Sequence, residues 1–305
     1  MSSSVAKIKQ IKKTNIFSLR SFFNLMKPRV MSLVLFTSMV GLLIAPVQIS
    51  FISASVSLFA IALGAGAAGA LNMWYESDLD ALMSRTCLRP IPTGKVKKDQ
   101  ALWFGLFLSL VSIAILYNSS NALSALLLAI TIGFYFFIYT IWLKPRTSQN
   151  IVIGGAAGAL PPVIGWTVAT NAISIEPLIL FLIIFIWTPS HFWALSLYKS
   201  GDYKKAKIPM LPVTDGVEKT KINILVYSLL LLPSVVSLYF FENYSVQFLF
   251  VSTALTFYYI YLSYKLLRSL NNKTSNIIAR KIFVYSIFYL FIIFVLILGD
   301  SFWRI

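Results

Sequence analysis

Cysteine and histidine are nearly missing from this 305-residue chain, which has one of each, Cys87 and His191. A single cysteine excludes an intrachain disulfide. Without a CxxC pair or a histidine cluster there is almost nothing from which to build a protein-ligated zinc site. Acids are scarce as well, ten against 26 lysines and arginines, for a net charge of +16. Charged residues of both signs make up only 12% of the chain, hydrophobic ones 58%, and the mean hydropathy is +0.80. That balance overrides the two soluble domains that length alone suggests. It predicts an all-α, polytopic membrane protein built as a single helical bundle.

Apolar runs of roughly bilayer length predict nine spans, at 30–49, 51–75, 101–117, 122–143, 151–169, 175–198, 222–241, 246–267 and 282–299. The first two are nearly contiguous and predict a tight helical hairpin. With the N-terminus inside, all but one of the 26 basic residues fall in the N-terminal segment through Arg29 and in the loops near 76–100, 144–150, 199–221 and 265–281; the exception is Arg304. The outer connections carry none. This is the positive-inside pattern, which fixes span number and orientation. It also explains the positive charge topologically, so nucleic acid is rejected as a partner. Two regions follow, a basic cytoplasmic tail at 1–28 and a single transmembrane domain at 29–305. The tail is Ser-containing and free of acids, like a transit peptide, but no apolar run with a cleavage site follows it. It reads instead as a segment lying on anionic lipid, with Phe22, Phe23 and Leu25 in the interface.

Two helices are rich in Gly and Ala, LGAGAAGAL in the second span and GGAAGALPP in the fifth. Such stripes allow close backbone approach. Pro161–Pro162 and Thr188-Pro189 predict kinks in the fifth and sixth spans, which would open room for a bulky lipophilic ligand. Simple helix packing accounts for the same glycines, and the two readings are compatible. Four spans separate the two long, acid-bearing inner loops, so both reach the same face in the same orientation. That arrangement is similar to a duplicated four-helix half with a ninth helix added.

The stretch NMWYESDLDALMSRTCLRPIPTG at 72–94 concentrates three of the ten acids. On a continued helix Asn72, Glu76 and Asp80 share one face, while Asp78 points elsewhere. Hard oxygen ligands in a row suit Mg²⁺, which binds one or two carboxylates together with substrate phosphates. Arg85 and Arg89 follow, placed to grip phosphate oxygens. A solvated loop of mixed charge is the alternative. A second cluster in HFWALSLYKSGDYKKAKIPMLP holds Tyr198, Asp202, Lys205 and Lys207. Here one acid with several cations fits a shared metal and diphosphate neutralisation, or ordinary inner-face charge. His191 is open to two readings, a hydrogen bond inside the bundle or a ligand contact such as an axial one to a haem iron. Two metal-phosphate-like sites facing each other at a membrane imply a lipid diphosphate substrate. Aromatic residues, at 15%, would shield a carbocation formed from it.

At these residues the chain resembles the UbiA-type intramembrane prenyltransferases, over about residues 20–300. The resemblance rests on 72–94, on TSQNIVIGGAAGALPPVIGW at 147–166, and on HFWALSLYKSGDYKKAKIPMLPVTDG at 191–216. Lys27 and Arg29 in MKPRV match as well. The resemblance implies a nine-helix bundle whose site opens toward the cytoplasm and laterally to lipid. The family's Asn-x3-Asp-x3-Asp falls on Asn72, Glu76 and Asp80, with Glu76 departing from the pattern by a longer arm. Its second motif, often Asp-x3-Asp, falls on Tyr198 and Asp202 and is similar to the haem-directed branch.

That branch implies Mg²⁺-dependent transfer of a farnesyl group from farnesyl diphosphate to the vinyl group of haem B, giving haem O. Asn72, Glu76, Asp80 and Asp202 would hold the metal. Arg85, Arg89, Lys205, Lys207 and Tyr198 would bind the diphosphate, and His191 would contact haem. The implied setting is a bacterial inner (plasma) membrane rather than the mitochondrial one, with a cytochrome oxidase assembly factor or a haem A synthase as partner. The rival within the family is an aromatic quinone precursor or a chlorophyll-type acceptor. The rival from another class is a secondary transporter, which would need a midplane carboxylate that no predicted span supplies.

Overall fold

The computed structural model describes residues 18–304, and among them every regular element is helical. The elements are α1 (Leu19–Leu25), α2 (Pro28–Leu43), α3 (Phe51–Tyr75), α4 (Ser77–Leu82), α5 (Lys98–Ser119) and α6 (Ala122–Gly133), which runs on as a π-helix (Phe134–Leu143). Then come α7 (Asn150–Ala159), α8 (Pro161–Thr170), α9 (Ile175–Tyr198), α10 (Ser200–Lys205), α11 (Leu211–Thr214), α12 (Val217–Glu242), α13 (Val246–Leu267) and α14 (Asn272–Arg304). Among the described residues eight helices, counting α6 with its continuation and α7 with α8, are long and apolar enough to cross a membrane. The pair α1 and α2, bent by 57°, makes a ninth. The chain is an integral membrane protein.

Local chemistry sets the span ends. Asn171 and Asn243 close α8 and α12 in the left-handed region, at φ 51° and 53°, a conformation that Asn tolerates. The side chains of Asn121 and Ser245 accept from the backbone N–H of Ser124 and Phe248 and so cap α6 and α13. The first span is shorter than its apolar run: α2 stops at Leu43, because Pro46 disfavours helix at the residue before it. The fifth span breaks at Leu160, between α7 and α8, as the Pro161–Pro162 pair predicts. The sixth is not interrupted. Pro189 lies inside a continuous α9, where the hydroxyls of Thr188 and Ser190 donate to Ile184 O and Trp187 O beside the missing N–H.

The tail is corrected in part. Leu25 is fully buried with Ala70, Met73 and Val96, and Phe22 meets Phe104 edge-on at 5.2 Å, so this face of α1 packs on α3 and α5. Phe23 alone of the three is exposed. The rest of the basic tail, 1–17, lies outside the described residues.

Two core clusters fill the bundle, one centred on α3, α5 and α6, the other on α9, α12, α13 and α14, with α2 and α8 contributing to both. These two seam helices touch backbone to backbone. A Cβ on Gly41 would stand 2.1 Å from Pro162 O, and one on Gly165 would stand 1.9 Å from Ser38 O. Since lipid supplies little hydrophobic drive between helices, such close packing holds the bundle together. Gly41 and Gly165 are therefore packing glycines. Phe36 against Phe291, at 4.8 Å, brings α14 onto α2.

Candidate functional site

The first motif keeps its helical register through a hinge. α3 ends at Tyr75 and α4 begins at Ser77, but Glu76 N–H donates to Asn72 O (2.9 Å) and Asp80 N–H to Glu76 O (2.8 Å). Asn72, Glu76 and Asp80 therefore stand on one face, and they are buried at 2%, 4% and 3% exposure. Asp78 points out and pairs with Lys98 at 3.0 Å.

Buried anions need partners, and each of the three positions has a cation. Lys27 Nζ donates to Asn72 Oδ1. Lys144 Nζ donates to Glu76 Oε1 at 2.5 Å. Arg89 Nη1 donates to both Asp80 carboxylate oxygens, at 2.8 and 2.7 Å. Burial opposes ionisation of Glu76, yet Lys144 and Lys27 beside it hold its carboxyl below the usual glutamate range. Asn72 Nδ2 also donates to Thr140 Oγ1 at 3.1 Å, which fixes the amide with its oxygen toward Lys27.

The π-helical end of the fourth span supplies much of this shell, and π-segments recur at functional sites. Lys144 N–H donates to Tyr139 O, and Thr140 Oγ1 to Tyr135 O, both five residues back. Lys27 Nζ lies 6.0 Å from the Tyr135 ring centroid and Lys144 Nζ lies 5.9 Å from that of Tyr139, within cation–π range. Gly154 makes room for Tyr139, since a Cβ there would fall 2.2 Å from Tyr139 Cδ2. Lys144, Tyr135, Tyr139 and Thr140 were not among the residues the sequence singled out. Lys144 counted there only as an inner-face charge.

The two motif loops meet. Ser84 Oγ donates to Asp202 Oδ2 at 2.5 Å, and Met83 packs with Tyr203, Ile208 and Met210. α9 stops at Tyr198, so Tyr198 and Asp202 are not joined by a helical turn; Asp202 N–H instead bonds Lys199 O. Lys205 and Lys207 are exposed beside it, as is Arg85 on the first loop. Among the described residues these three cations form no ion pair. Lys207 sits in the left-handed region at φ 53°. His191 Nδ1 meets Ser286 Oγ at 2.6 Å, and the ring stacks on Trp187 and Phe283 at 4.3 and 4.7 Å.

Beside the site a cavity of about 120 Å³ runs into the bundle from Lys27 and Tyr135. Gly64, Ala65 and Ala68 of α3 and Gly158 of α7 line it, so the small-residue stripes border this cavity. A Cβ on Gly158 would meet nothing within 4 Å.

The donor set is all hard oxygen, which suits Mg²⁺. It is not gathered into a resident site: among the described residues no three acid, His or Cys side chains stand close enough to hold an ion. Such a set fits a metal that brings phosphate oxygens and water as its remaining ligands.

The chain matches the UbiA prenyltransferase family over residues 34–297. It is 60% identical over 301 residues to a protoheme IX farnesyltransferase of Pelagibacter ubique, covering 99% of each chain. It is 51% identical over 287 residues to one of Ehrlichia ruminantium, covering 94% of this chain and 96% of the other. Among solved structures it is similar to a digeranylgeranylglyceryl phosphate synthase, with a TM-score of 0.77, 17% identity, and 93% and 98% of the two chains covered. It is also similar to a UbiA homologue from Archaeoglobus fulgidus bound to GPP and Mg²⁺, with a TM-score of 0.68, 16% identity, and 91% and 99% covered. These two likenesses show the fold.

Proposed function

Because the chain belongs to the UbiA prenyltransferase family, we propose that it farnesylates haem B, with farnesyl diphosphate as donor and haem O and diphosphate as products. The observation that carries this reading is a cation-rich, acid-bearing cluster at the mouth of an apolar cavity, in a chain 60% identical to a protoheme IX farnesyltransferase. The C1–oxygen bond of the donor breaks and its electron pair leaves on diphosphate. The haem vinyl carbon bonds to farnesyl C1. Water then adds to the resulting cation and loses a proton, leaving the hydroxyethylfarnesyl group.

Lys27, Lys144 and Arg89, now on Asn72, Glu76 and Asp80, are placed to neutralise phosphate oxygens, and Arg85, Lys205 and Lys207 extend that field from the facing loops. Asn72, Glu76, Asp80 and Asp202 would hold Mg²⁺, which when bound supplies Lewis-acid neutralisation of the leaving group. The cavity below Lys27 takes the farnesyl chain and excludes water from a reactive allylic cation. The rings of Tyr135 and Tyr139 present π-density beside it. The protein sits in a bacterial inner membrane with its motif-bearing loops and N-terminus cytoplasmic; α1 and Lys27, which the sequence assigned to the tail at 1–28, belong with the catalytic domain at 29–305. The product suits a haem A synthase or an oxidase assembly factor as recipient.

Membranes containing the chain, given labelled farnesyl diphosphate, should make a farnesylated haem from haem B and no product from 4-hydroxybenzoate. The reverse result would sink the haem assignment. A narrower test fills the cavity. Gly158→Phe should raise the KM for farnesyl diphosphate about tenfold or more while sparing geranyl diphosphate, because steric discrimination of chain length is of that order. Equal losses on both donors would place the farnesyl chain elsewhere.

A further inference from the structure

Several cations of the bundle's loop end have no part in the proposed donor machinery, and one of them stands on a helix face that leads to His191. Arg280, on α14, is exposed, and among the described residues it forms no ion pair. It shares a helix face with Phe283 and Ser286, three and six residues on. That face packs on α9: Ser286 bonds His191, Phe283 stacks on His191 at 4.7 Å, and Tyr198 meets Phe283 edge-on at 6.1 Å. The result is an aromatic strip with a free guanidinium at its end. Tyr198 stands within electrostatic reach of Arg280 and of Arg85, the latter on the loop that carries the diphosphate cluster. The strip therefore adjoins the loop that carries Arg85, and none of its residues lines the farnesyl cavity.

We infer that Arg280 anchors a carboxylate of the acceptor, a planar tetrapyrrole bearing two propionates, whose ring edge lies along Tyr198 and Phe283. The inference rests on the haem-farnesylating function proposed above. A guanidinium suits this task because it binds a carboxylate in a planar, two-bond fork and stays charged at any working pH. The propionates lie at the polar edge of an otherwise apolar ring, so holding them at the loop end directs the rest of the macrocycle into the bundle. His191, stacked on Trp187 and Phe283, forms the packed floor of the strip.

The test uses membranes with the full chain, haem B or its dimethyl ester, and farnesyl diphosphate. Arg280→Gln should raise the KM for haem B about tenfold and leave that for farnesyl diphosphate within about twofold, as loss of one charge-assisted contact to one substrate predicts. Arg280→Lys, which keeps the charge, should recover most of the loss. Esterifying the propionates should raise the wild-type KM similarly and have little further effect on Arg280→Gln. If the glutamine variant distinguishes acid from ester as well as the wild type does, Arg280 is not the anchor. If the wild-type chain forms no farnesylated haem at all, the acceptor assignment falls too, and the wild-type arm alone reveals that.

Discussion

Glutamine in place of Glu76 should lower farnesyl transfer by about a hundredfold or more, because removing one charge aimed at a transferring group is worth about that much in a dry site. The same change leaves Lys144 without its anion. Breaking a buried pair from one side costs about 3–5 kcal/mol of stability, whereas replacing both partners with neutral groups is often harmless. Glu76→Gln combined with Lys144→Met should therefore restore the melting temperature of the detergent-solubilised protein without restoring turnover. Recovery of activity in that double variant would reduce Glu76 to a structural counter-ion.

Glu76→Asp keeps the charge on a shorter arm and should retain far more activity than glutamine. The pH dependence has a definite sign. Glu76 is held below the usual glutamate range in the folded protein. The stability it contributes is thus fully present above the ordinary glutamate value and is lost as pH falls through the lower, folded one.

A second structural effect is expected at the seam of the bundle. Gly165→Val would drive a side chain into Ser38 O, 1.9 Å from where its Cβ must stand, and backbone cannot rotate aside as a side chain can. Overpacking of this kind costs about 3 kcal/mol, and here it falls on the pair of helices shared by both core clusters. The variant should melt well below the wild type and lose thermal protection by either substrate. Gly158→Ala, with nothing within 4 Å of its new methyl, is the control and should melt normally. If Gly165→Val is as stable as that control, α2 and α8 do not pack as described.

The bilayer made much of the architecture legible. Apolar runs and the distribution of Lys and Arg mark spans because a membrane imposes both, and Asn72, Glu76 and Asp80 stay on one face because the hinge at Glu76 preserves the i to i−4 bonding. What was not legible depended on distance along the chain. Nothing local tells Lys144 from a topological charge; its partner is 68 residues away. Ser84 and Asp202, 118 residues apart, carry no pattern at all. Leu25 and Phe22 were misassigned to the lipid interface because an apolar face reads the same whether it meets lipid or protein. Pro189 leaves no break in α9, whose helix runs unbroken from Ile175 to Tyr198.

The π-wound end of the fourth span has an evolutionary corollary. Ten residues, Phe134–Leu143, turn more slowly than an α-helix would, so the azimuth at which Lys144 emerges is set by residue count as much as by residue identity. Deleting one residue there at unchanged winding would swing everything beyond it by about 100°, carrying Lys144 away from Glu76 with no change in charge. Residue count in this segment therefore acts as a constraint of its own, and a one-residue deletion there should cost more activity than most single substitutions.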